Sequence, residues 1–387
     1  MHKLFKLINK KKRLVAGLMS GTSLDGIDCV IVEIEGNGLN TKIKTIAYKN
    51  KKMDETLRNK ILRASSIEES SVDLICRLNF EVGEVLAETV IETCEEFNIP
   101  LDELDLIGSH GQTIYHIPQN STLQIGELSI IAERTGAITI GDFRVRDVAA
   151  GGHGAPLVPY SEYLIYRSKD KNIALQNIGG IGNVTVIPKN CTIDQIFAFD
   201  TGPGNMVIDY IVTELTEGKK TYDENGSMAK KGQINKHMLS ELMQHPYIKK
   251  EPPKTTGRED FGVHFSKEIL ARYRNENVSD VDILATVTYF TAKSIGDSYK
   301  RWILPETPLD LVIVGGGGSY NNTLLKYIKK ELEGISVVTQ EDIGYSSDAK
   351  EAIAFAVLAN ETIYGNFNNI PNVTKAKHPV VMGKIVV

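Results

Sequence analysis

The hydrophobic and polar residues near the start of the chain occur in blocks. An apolar run over residues 14–19 is followed by a small polar segment, 20–26, and then by a run rich in β-branched residues over 27–32. Two such runs around a turn of glycine, serine and aspartate are typical of a β-hairpin. The alternating segment 42–48 is predicted to add a third strand.

Helical and extended patterns follow in turn. Apolar residues recur at spacings of three and four over 72–97, as Leu78, Val82 and Leu86 illustrate, and this predicts a long helix with one buried face. Residues 104–107 are predicted to form a short strand that ends in a polar turn, 108–113. The other elements predicted here are helices over 53–64 and 128–134 and strands over 123–126 and 137–143.

The second half of the chain repeats the opening pattern. Residues 173–187 predict a strand, a glycine-rich turn and a second strand, and a strand over 196–199 is predicted to end at Asp200. Pro203 suits the first turn of the helix expected over 206–215. A strand, a glycine loop and the start of a helix are predicted within 309–321, with further helices over 234–243, 266–274, 279–302 and 349–358.

Two hairpin-then-helix halves, each with a glycine turn, predict a duplicated α/β fold that binds a nucleotide between its lobes, by analogy at the level of the fold. Other nucleotide folds fit poorly. The chain has no GxxxxGK[ST] loop and no GxGxxG after a strand with an acidic residue at the expected distance. A P-loop protein and a glycine-rich dehydrogenase are therefore disfavoured.

Composition narrows the class of protein. The 387 residues are enough for two domains, and an apolar fraction of 42% with a net charge of −5 is typical of a soluble globular protein. Neither a basic–aromatic stripe nor a membrane-length apolar run occurs, so we expect no nucleic-acid partner, no membrane contact and a cytoplasmic protein. Four scattered cysteines indicate reduced thiols. The basic leader 1–13 is expected to be frayed and solvated.

The tip of the first hairpin carries candidate chemistry. Glycines there allow backbone amides to approach an anion, and Thr22 and Ser23 offer hydroxyl donors to phosphate oxygens. Asp25 could hold a hydrated Mg²⁺ beside them. The alternative is an ordinary hairpin whose polar residues only satisfy the turn.

Residues 142–157 form the segment densest in polar residues and glycine, and they are predicted to link the two domains and to line a cleft. Arg144 and Arg146 could clamp an anionic group. Alternatively, either arginine could pair with Asp142 or Asp147 as scaffold, and we expect this of at least one.

Eight motifs of unusual sequence occur along the chain, namely MSGTSLDGID, GSHGQTIYHIP, QIGE, GDFRVRDVAAGGHGAPLVP, NIGGIGNV, FDTGPGN, KTTGRE and VIVGGGGSYN. They occur in the order found in anhydro-N-acetylmuramic acid kinases, a family that the chain resembles from residue 14 to residue 384. The resemblance implies a two-lobed, duplicated actin-like ATPase (ribonuclease H-like) fold with ATP and substrate in the interlobe cleft. It also implies that ATP phosphorylates 1,6-anhydro-N-acetylmuramic acid while water opens the anhydro ring, giving N-acetylmuramic acid 6-phosphate. A Mg²⁺ cofactor and a homodimer are implied as well.

The resemblance assigns catalytic roles. Asp200 matches the base that activates water, Glu351 matches a glutamate near that water, and Arg146 matches an arginine at the sugar. From the residues alone, Asp200 could instead cap a helix, and Glu351 could be a solvated carboxylate in the first turn of a helix.

The remaining assignments are binding residues. Ser109, His110, Gln124 and Arg146 are expected at the sugar, although His110 and above all His116 suit a structural role, and His153 stands where the family often has glutamine. The residues expected to contact ATP are Gly21, Thr22, Ser23, Leu24, Asp25, Gly26, Ile27, Asp28, Gly179, Gly180, Gly202, Gly204, Asn205, Gly316 and Gly317.

The predicted domains are the leader 1–13, an N-terminal lobe over 14–145 that a tail of about 366–387 rejoins, and a C-terminal lobe over 146–365. A conventional sugar kinase that acts on a free hydroxyl is the best alternative function. A chaperone-like ATPase module would need a peptide-binding domain, and the two predicted lobes leave no residues for one. An inactive sugar-binding regulator is hard to reconcile with the presence of Asp25, Asp200, Arg146 and Glu351.

Overall fold

A computed structural model describes residues 2–387 of the chain. Its strands are β1 (Lys12–Ser20), β2 (Gly26–Glu35), β3 (Lys42–Lys52), β4 (Leu106–Ile117), β5 (Ser121–Ile125), β6 (Ile138–Gly141), β7 (Ile173–Ile178), β8 (Ile181–Ile187), β9 (Phe197–Pro203), β10 (Leu311–Gly315), β11 (Ser336–Thr339) and β12 (Lys384–Val386).

The helices alternate with the strands in both halves, and a π-helical turn, Tyr299–Ile303, extends one of them. The α-helices are α1 (His2–Ile8), α2 (Glu55–Ala64), α3 (Val72–Glu96), α4 (Leu128–Thr135), α5 (Phe143–Ala149), α6 (Val158–Tyr166), α7 (Met206–Leu215), α8 (Lys236–Leu242), α9 (Pro246–Lys249), α10 (Arg258–Phe261), α11 (Val263–Asn275), α12 (Asp280–Ser298), α13 (Asn322–Glu331), α14 (Lys350–Ile363) and α15 (Pro371–Thr374). None of the helices in this part of the chain is long and apolar enough to cross a membrane.

The chain divides into two compact units. Unit 1 comprises the chain up to Tyr166 together with Asp348–Val387, and unit 2 is Arg167–Ser347. These boundaries differ from the predicted lobes, 14–145 and 146–365, because α6 and α14 belong to unit 1. Helix α14 packs on β1, β2 and β4 of that unit, although more than 200 residues of sequence separate it from them.

The sheet of unit 1 has the strand order β12-β6-β4-β1-β2-β3, and β5 pairs with β4. Strand β1 is antiparallel to β2, which is antiparallel to β3, whereas β4 is parallel to both β1 and β6. The predicted opening hairpin is confirmed, with Leu14 opposite Glu33 and Ser20 opposite Ile27.

The sheet of unit 2 has the order β11-β10-β7-β8-β9. Strands β7, β8 and β9 are successively antiparallel, and β10 is parallel to both β7 and β11. This is the order and direction of β6-β4-β1-β2-β3 in unit 1. The duplication predicted from the two glycine-bearing hairpins is therefore confirmed by the topology of the two sheets.

Helix α14 lies unusually close to the sheet of unit 1. A Cβ atom at Gly17 in β1 would overlap the carbonyl oxygen of Ala352, and one at Gly108 in β4 would overlap that of Phe355. Residues 352–363 of α14 are all buried. Glycine is therefore needed at both positions of the sheet, and this contact fixes the first turn of α14, which carries Glu351.

Two predicted strands are longer in the structure. Strand β4 continues through the segment predicted as a turn, 108–113, because its second half pairs with β5. Strand β9 likewise runs through Asp200 to Pro203, paired with β8. Pro203 therefore ends a strand rather than starting a helix, and α7 begins at Met206, as predicted.

The basic leader also differs from the expectation. Residues 2–8 form α1, Leu7 is buried, and Lys10 forms an ion pair with Asp105 at 2.6 Å. Arg13 is fully buried within unit 1, where it donates to Asn360 Oδ1 at 2.8 Å and to Gly36 O at 2.6 Å. The last two residues of the predicted leader are thus part of β1.

Candidate active site

The tip of the β1–β2 hairpin in unit 1 is polar and open. Thr22, Ser23 and Asp25 are exposed, and the Ser23 hydroxyl donates to Asp25 Oδ1 at 2.9 Å. Leu24 is buried with a φ of 55° and anchors the turn, while the Leu24 amide donates to Gly21 O at 3.3 Å. The structure therefore brings the predicted phosphate-binding side chains together on one solvent-facing turn.

Asp28, the last residue of the predicted ATP loop, lies within β2 rather than in the turn. Its Oδ1 accepts hydrogen bonds from the Tyr48 hydroxyl at 2.7 Å and from Asn50 Nδ2 at 2.8 Å. Burial raises the pKa of Asp28, and these two hydrogen bonds oppose the rise. Its neighbours Gly26 and Ile27 are buried. These contacts give Asp28 a structural role in pairing β2 with β3.

Three glycine-rich motifs of unit 2 converge at the tip of the β7–β8 hairpin. The carbonyl oxygen of Gly180 accepts from the amides of Gly204 and Met206, at 3.0 and 3.1 Å, and Gly179 O accepts from the Asn205 amide at 2.8 Å. From a third direction, the glycine loop after β10 places Gly318 against Ile178. The motifs NIGGIGN, FDTGPGN and VGGGGSY thus form one backbone cluster.

The predicted glycines separate into two groups. A Cβ atom at Gly204 would overlap Gly179 O, and one at Gly316 would lie 2.7 Å from Asn177 Oδ1. A Cβ atom at Gly21, Gly179 or Gly317 would meet no heavy atom closer than 3.5 Å. The first group of glycines permits tight packing of the backbone, whereas the second leaves backbone open to a ligand.

Asp200 lies in the middle of β9 and is half-buried. Its Oδ2 accepts from the Thr256 amide at 2.9 Å, and no hydrogen bond from residues 2–387 reaches Oδ1. Burial raises the pKa of Asp200 to about 6, assisted by the charge of Glu259 and opposed by the Thr256 amide and by Lys254. The helix-cap alternative is wrong, since Asn205 precedes α7.

The two arginines of the FRVRD motif lie on α5 in different surroundings. Arg144 donates to His110 Nε2 from Nε at 3.1 Å and to Gly154 O at 2.7 Å, whereas Arg146 is exposed. No hydrogen bond or ion pair joins the Arg146 guanidinium to any residue within 2–387. Arg144 is therefore the scaffold arginine, and Arg146 is free to meet a ligand.

The aspartate of the same motif, Asp147, is fully buried. Its carboxylate accepts from the Gly154 amide at 2.8 Å and from Asn369 Nδ2 and Thr374 Oγ1 at 2.7 Å each. The predicted pairing with an arginine is absent among these contacts. Asp147 instead ties the loop that contains His153 to the C-terminal segment of unit 1, where the His153 amide donates to Thr374 O.

Glu351 lies in the first turn of α14, as predicted, and its side chain keeps contact with solvent. The protein around it removes part of its hydration, which raises its pKa, and the charges of Asp28 and Glu162 act in the same direction. The charges of Lys350 and Arg144 oppose this rise. Glu351 is thus more than a freely solvated carboxylate.

Ser109, His110 and Gln124 line one cavity of about 400 Å³ in unit 1. The Nδ1 atom of His110 lies 2.9 Å from Gly111 O, and its Nε2 accepts from Arg144. Burial and the Arg144 charge lower the pKa of His110 to about 3, so the ring is neutral at physiological pH. Both ring nitrogens of His110 are occupied, whereas Gln124 Oε1 has no partner among the described residues. His116 has a structural contact, Nδ1 to Thr122 Oγ1 at 3.0 Å.

The chain matches the family model described as anhydro-N-acetylmuramic acid kinase over residues 13–387. The chain belongs to this family. The anhydro-N-acetylmuramic acid kinase of Caldanaerobacter subterraneus subsp. tengcongensis is 52% identical to it over 394 residues, covering 100% of both chains. That of Clostridioides difficile is 52% identical over 375 residues, covering 95% of this chain and 97% of the relative.

Component A of the (R)-2-hydroxyglutaryl-CoA dehydratase of Acidaminococcus fermentans aligns at 11% identity with a TM-score of 0.48, covering 92% of this chain and 100% of that one. Similarity at this level identifies neither an activity nor a site. Family membership and the repeated strand order agree with the duplicated actin-like α/β fold that the resemblance implied.

The sequence predicts that at least one of Arg144 and Arg146 is a scaffold residue, but it does not indicate which one faces His110. One residue with notable surroundings was not predicted as part of the site. Lys254, in the family motif KTTGRE, is buried close to Asp200 in unit 2. The sequence offered one signal, the position of this lysine directly after two prolines and within a family motif.

Proposed function

We propose that the chain is a kinase that uses ATP to open the 1,6-anhydro ring of 1,6-anhydro-N-acetylmuramic acid and to phosphorylate its 6-oxygen. The product is N-acetylmuramic acid 6-phosphate, formed during the recycling of cell-wall peptidoglycan. The observation that carries the proposal is family membership over residues 13–387, with a relative that is 52% identical across its whole length.

The substrate explains why a carboxylate base is needed. Its 6-oxygen is bonded to the anomeric carbon and has no hydroxyl proton, so it cannot attack ATP as a free alcohol does. Water adds to the anomeric carbon, the bond from that carbon to the 6-oxygen breaks, and the 6-oxygen takes the γ-phosphoryl group while ADP leaves. One proton of the water must pass to a base, as in inverting glycosidases.

We assign the base to Asp200. The Thr256 amide holds Oδ2 at 2.9 Å, which orients the carboxylate and leaves Oδ1 to accept the proton. A pKa of about 6 keeps most of the group ionised at neutral pH, while making it a stronger base than an ordinary aspartate. Asp200 thus combines the correct protonation state with the required basicity.

The residues of unit 1 fit the sugar. The free guanidinium of Arg146 suits the lactyl carboxylate, and the solvent-accessible Glu351 is proposed to orient the attacking water. Ser109 and Gln124 line a cavity of about 400 Å³, and we propose that the sugar binds there. His110, whose ring nitrogens are both engaged, supports Arg144 in this arrangement.

The residues that fit ATP come from the two glycine hairpins. Thr22 and Ser23 supply hydroxyl donors, and Gly21, Gly179 and Gly317 leave open backbone for phosphate oxygens. Asp25 fits a hydrated Mg²⁺, because its carboxylate is exposed beside the Ser23 hydroxyl. Within residues 2–387 no group of three His, Cys, Asp or Glu side chains is arranged to hold a metal by protein ligands alone. Bound together with ATP, Mg²⁺ would neutralise part of the negative charge of the phosphates.

We also propose that the enzyme works in the cytoplasm as a homodimer, as the family resemblance implies. The reaction is tested by giving the purified protein ATP, Mg²⁺ and the anhydro sugar in ¹⁸O-labelled water and analysing the product by NMR and mass spectrometry. We expect a 6-phosphorylated sugar with an open ring and label at the anomeric hydroxyl. A phosphorylated product that is still bicyclic would show a conventional hydroxyl kinase instead.

A further inference from the structure

The segment that contains Lys254 is bonded directly to the strand of the proposed base. The Asp200 amide donates to Lys254 O at 3.1 Å, and the Thr256 amide donates to Asp200 Oδ2 at 2.9 Å. Residues 254 and 256 therefore hold both the backbone and the carboxylate of Asp200. The backbone of Lys254 is thus bonded directly to that of Asp200.

The side chain of Lys254 is buried, with only 2% of its surface exposed, and its ammonium has no hydrogen-bond partner among residues 2–387. The Nζ atom lies 4.8 Å from the centroid of the Tyr247 ring. The Tyr247 hydroxyl in turn donates to Asp200 O at 2.8 Å. Lys254 is thus a buried cation packed on the aromatic ring that supports the strand of Asp200.

Two carboxylates act on this ammonium. Burial lowers the pKa of Lys254 to about 8, the charges of Asp297 and Asp200 raise it, and those of Arg301 and Lys250 lower it. Asp297, near the end of α12, already forms an ion pair at 2.9 Å with Arg301 of the π-helical turn that follows. Asp200 lacks such a pair, and the charge of Glu259 disfavours its ionised form. Lys254 is the cation whose charge offsets part of this effect.

Two other roles for Lys254 fit less well. A ligand contact requires access to Nζ, but this atom has almost no solvent-accessible surface. A purely structural role is poorly served by a charge, because burying an ammonium without a hydrogen bond is costly and an apolar side chain of similar volume is usually at least as stable. An electrostatic role needs neither access nor a direct hydrogen bond.

We propose that Lys254 is a positioning residue for the reaction, whose buried ammonium supplies the counter-charge that keeps the Asp200 carboxylate ionised and ready to accept a proton from water. This inference rests on the proposed role of Asp200 as the base. It adds a residue, outside the predicted site, that sets the pH at which the base becomes competent.

The test compares Lys254→Met, Lys254→Gln and Lys254→Arg with wild type, by kcat/KM from pH 5 to 9. Loss of the charge is expected to move the acidic limb of the kcat/KM profile to higher pH. Activity at pH 5.5 should then fall about two- to fivefold, while the plateau above pH 8 is retained. Lys254→Arg keeps the positive charge, and it is expected to keep the acidic limb of the wild-type profile. Lys250→Met, a change of an exposed lysine in the same segment, leaves the limb in place.

Loss of activity by the same factor at every pH, with the limb unmoved, would show a structural role and overturn the proposal. A raised KM for ATP with an unmoved limb would show a phosphate contact and overturn it as well. Titration of ¹³C-labelled aspartate by NMR, with Asp200→Asn to assign the signal, gives a readout independent of the reaction. An upward shift of the Asp200 midpoint in Lys254→Met confirms the electrostatic coupling even if Asp200 is not the base. An unshifted midpoint rejects the coupling.

Discussion

The two glycine-bearing hairpins occupy the same place in two sheets of identical strand order, but their tips differ. The β1–β2 tip has five residues, 21–25, and presents the side chains of Thr22, Ser23 and Asp25 to solvent. The β7–β8 tip is only Gly179 and Gly180, and it accepts three backbone hydrogen bonds from residues 204–206. A duplicated scaffold thus supports two kinds of turn, one that exposes polar side chains and one whose backbone is hydrogen-bonded to a neighbouring segment.

The two tips are therefore expected to tolerate substitution differently. The first tip is anchored by one buried residue, Leu24, and its polar residues have few neighbours. The second is packed so tightly that Gly204 has no room for a Cβ atom. Substitutions in the first tip should therefore change chemistry, whereas substitutions at Gly204, which packs against the second tip, should change stability.

The third strands differ as well. Strand β3 ends in Lys51 and Lys52, and Lys51 forms ion pairs with Glu88 and Glu92 at 2.7 and 2.8 Å. Strand β9, its equivalent in unit 2, carries the half-buried Asp200. Paired surface charge stabilises the first strand modestly, whereas a desolvated carboxylate destabilises the second.

The largest effect is expected for Gly204→Ala in unit 2. The new methyl group would overlap Gly179 O, which is part of the backbone and cannot yield easily. We expect the free energy of unfolding to fall by about 2–3 kcal/mol, measured by chemical denaturation. Gly179→Ala is the matched control, since its Cβ would meet no atom closer than 4.0 Å, and it should change stability by less than about 0.5 kcal/mol. Equal losses in both variants would contradict the distinction between packed and open glycines.

Asp25→Asn tests the first hairpin. Its carboxylate is exposed, so the melting temperature should stay unchanged, while loss of its charge near the phosphates should lower kcat about 10- to 100-fold. Calorimetry and steady-state kinetics over a range of Mg²⁺ concentrations measure the two effects. A lower melting temperature with unchanged kcat would make the tip an ordinary polar turn.

A smaller effect is expected on the free energy of unfolding when Asp200, whose ionised form is disfavoured by burial, is replaced by asparagine. Its pKa is raised from 3.8 to about 6 on folding, so the unfolded chain releases the proton first and the wild type loses stability as the pH rises from about 4 to 6. Asp200→Asn should be more stable than wild type by about 1–2 kcal/mol at pH 8, after allowance for partial exposure, and equally stable at pH 3.5. A variant that is less stable than wild type at pH 8 would show that the carboxylate is structural.

Much of the fold could be predicted because periodicity and turn residues are local signals. The hairpins and helices α2, α3 and α7 were found close to their bounds. Strands β4 and β9 were predicted too short, since their second halves are stabilised by pairing with β5 and β8, which local sequence does not show. The unit boundaries were missed for the same reason, because the packing of α14 on glycines of β1 and β4 is a long-range contact.

The candidate site could be predicted as a set of residues but not as an arrangement. The motifs identified Asp200 and the glycine turns, and the structure brings the three glycine motifs of unit 2 together. The distinct roles of Arg144 and Arg146 depend on which face of α5 each occupies. The burial of Lys254 could not be predicted either, because lysine is usually exposed. Both depend on tertiary packing.

The proposed reaction depends above all on Asp200, as the base that activates the water that opens the ring. The most direct test is the rate of ¹⁸O incorporation from labelled water into the anomeric hydroxyl, for wild type, Asp200→Asn and the exposed control Asp170→Asn. We expect labelled, 6-phosphorylated product from wild type and from the control, with a rate at least about 10³-fold lower in Asp200→Asn. Label incorporated by Asp200→Asn at a rate close to that of wild type would contradict the claim.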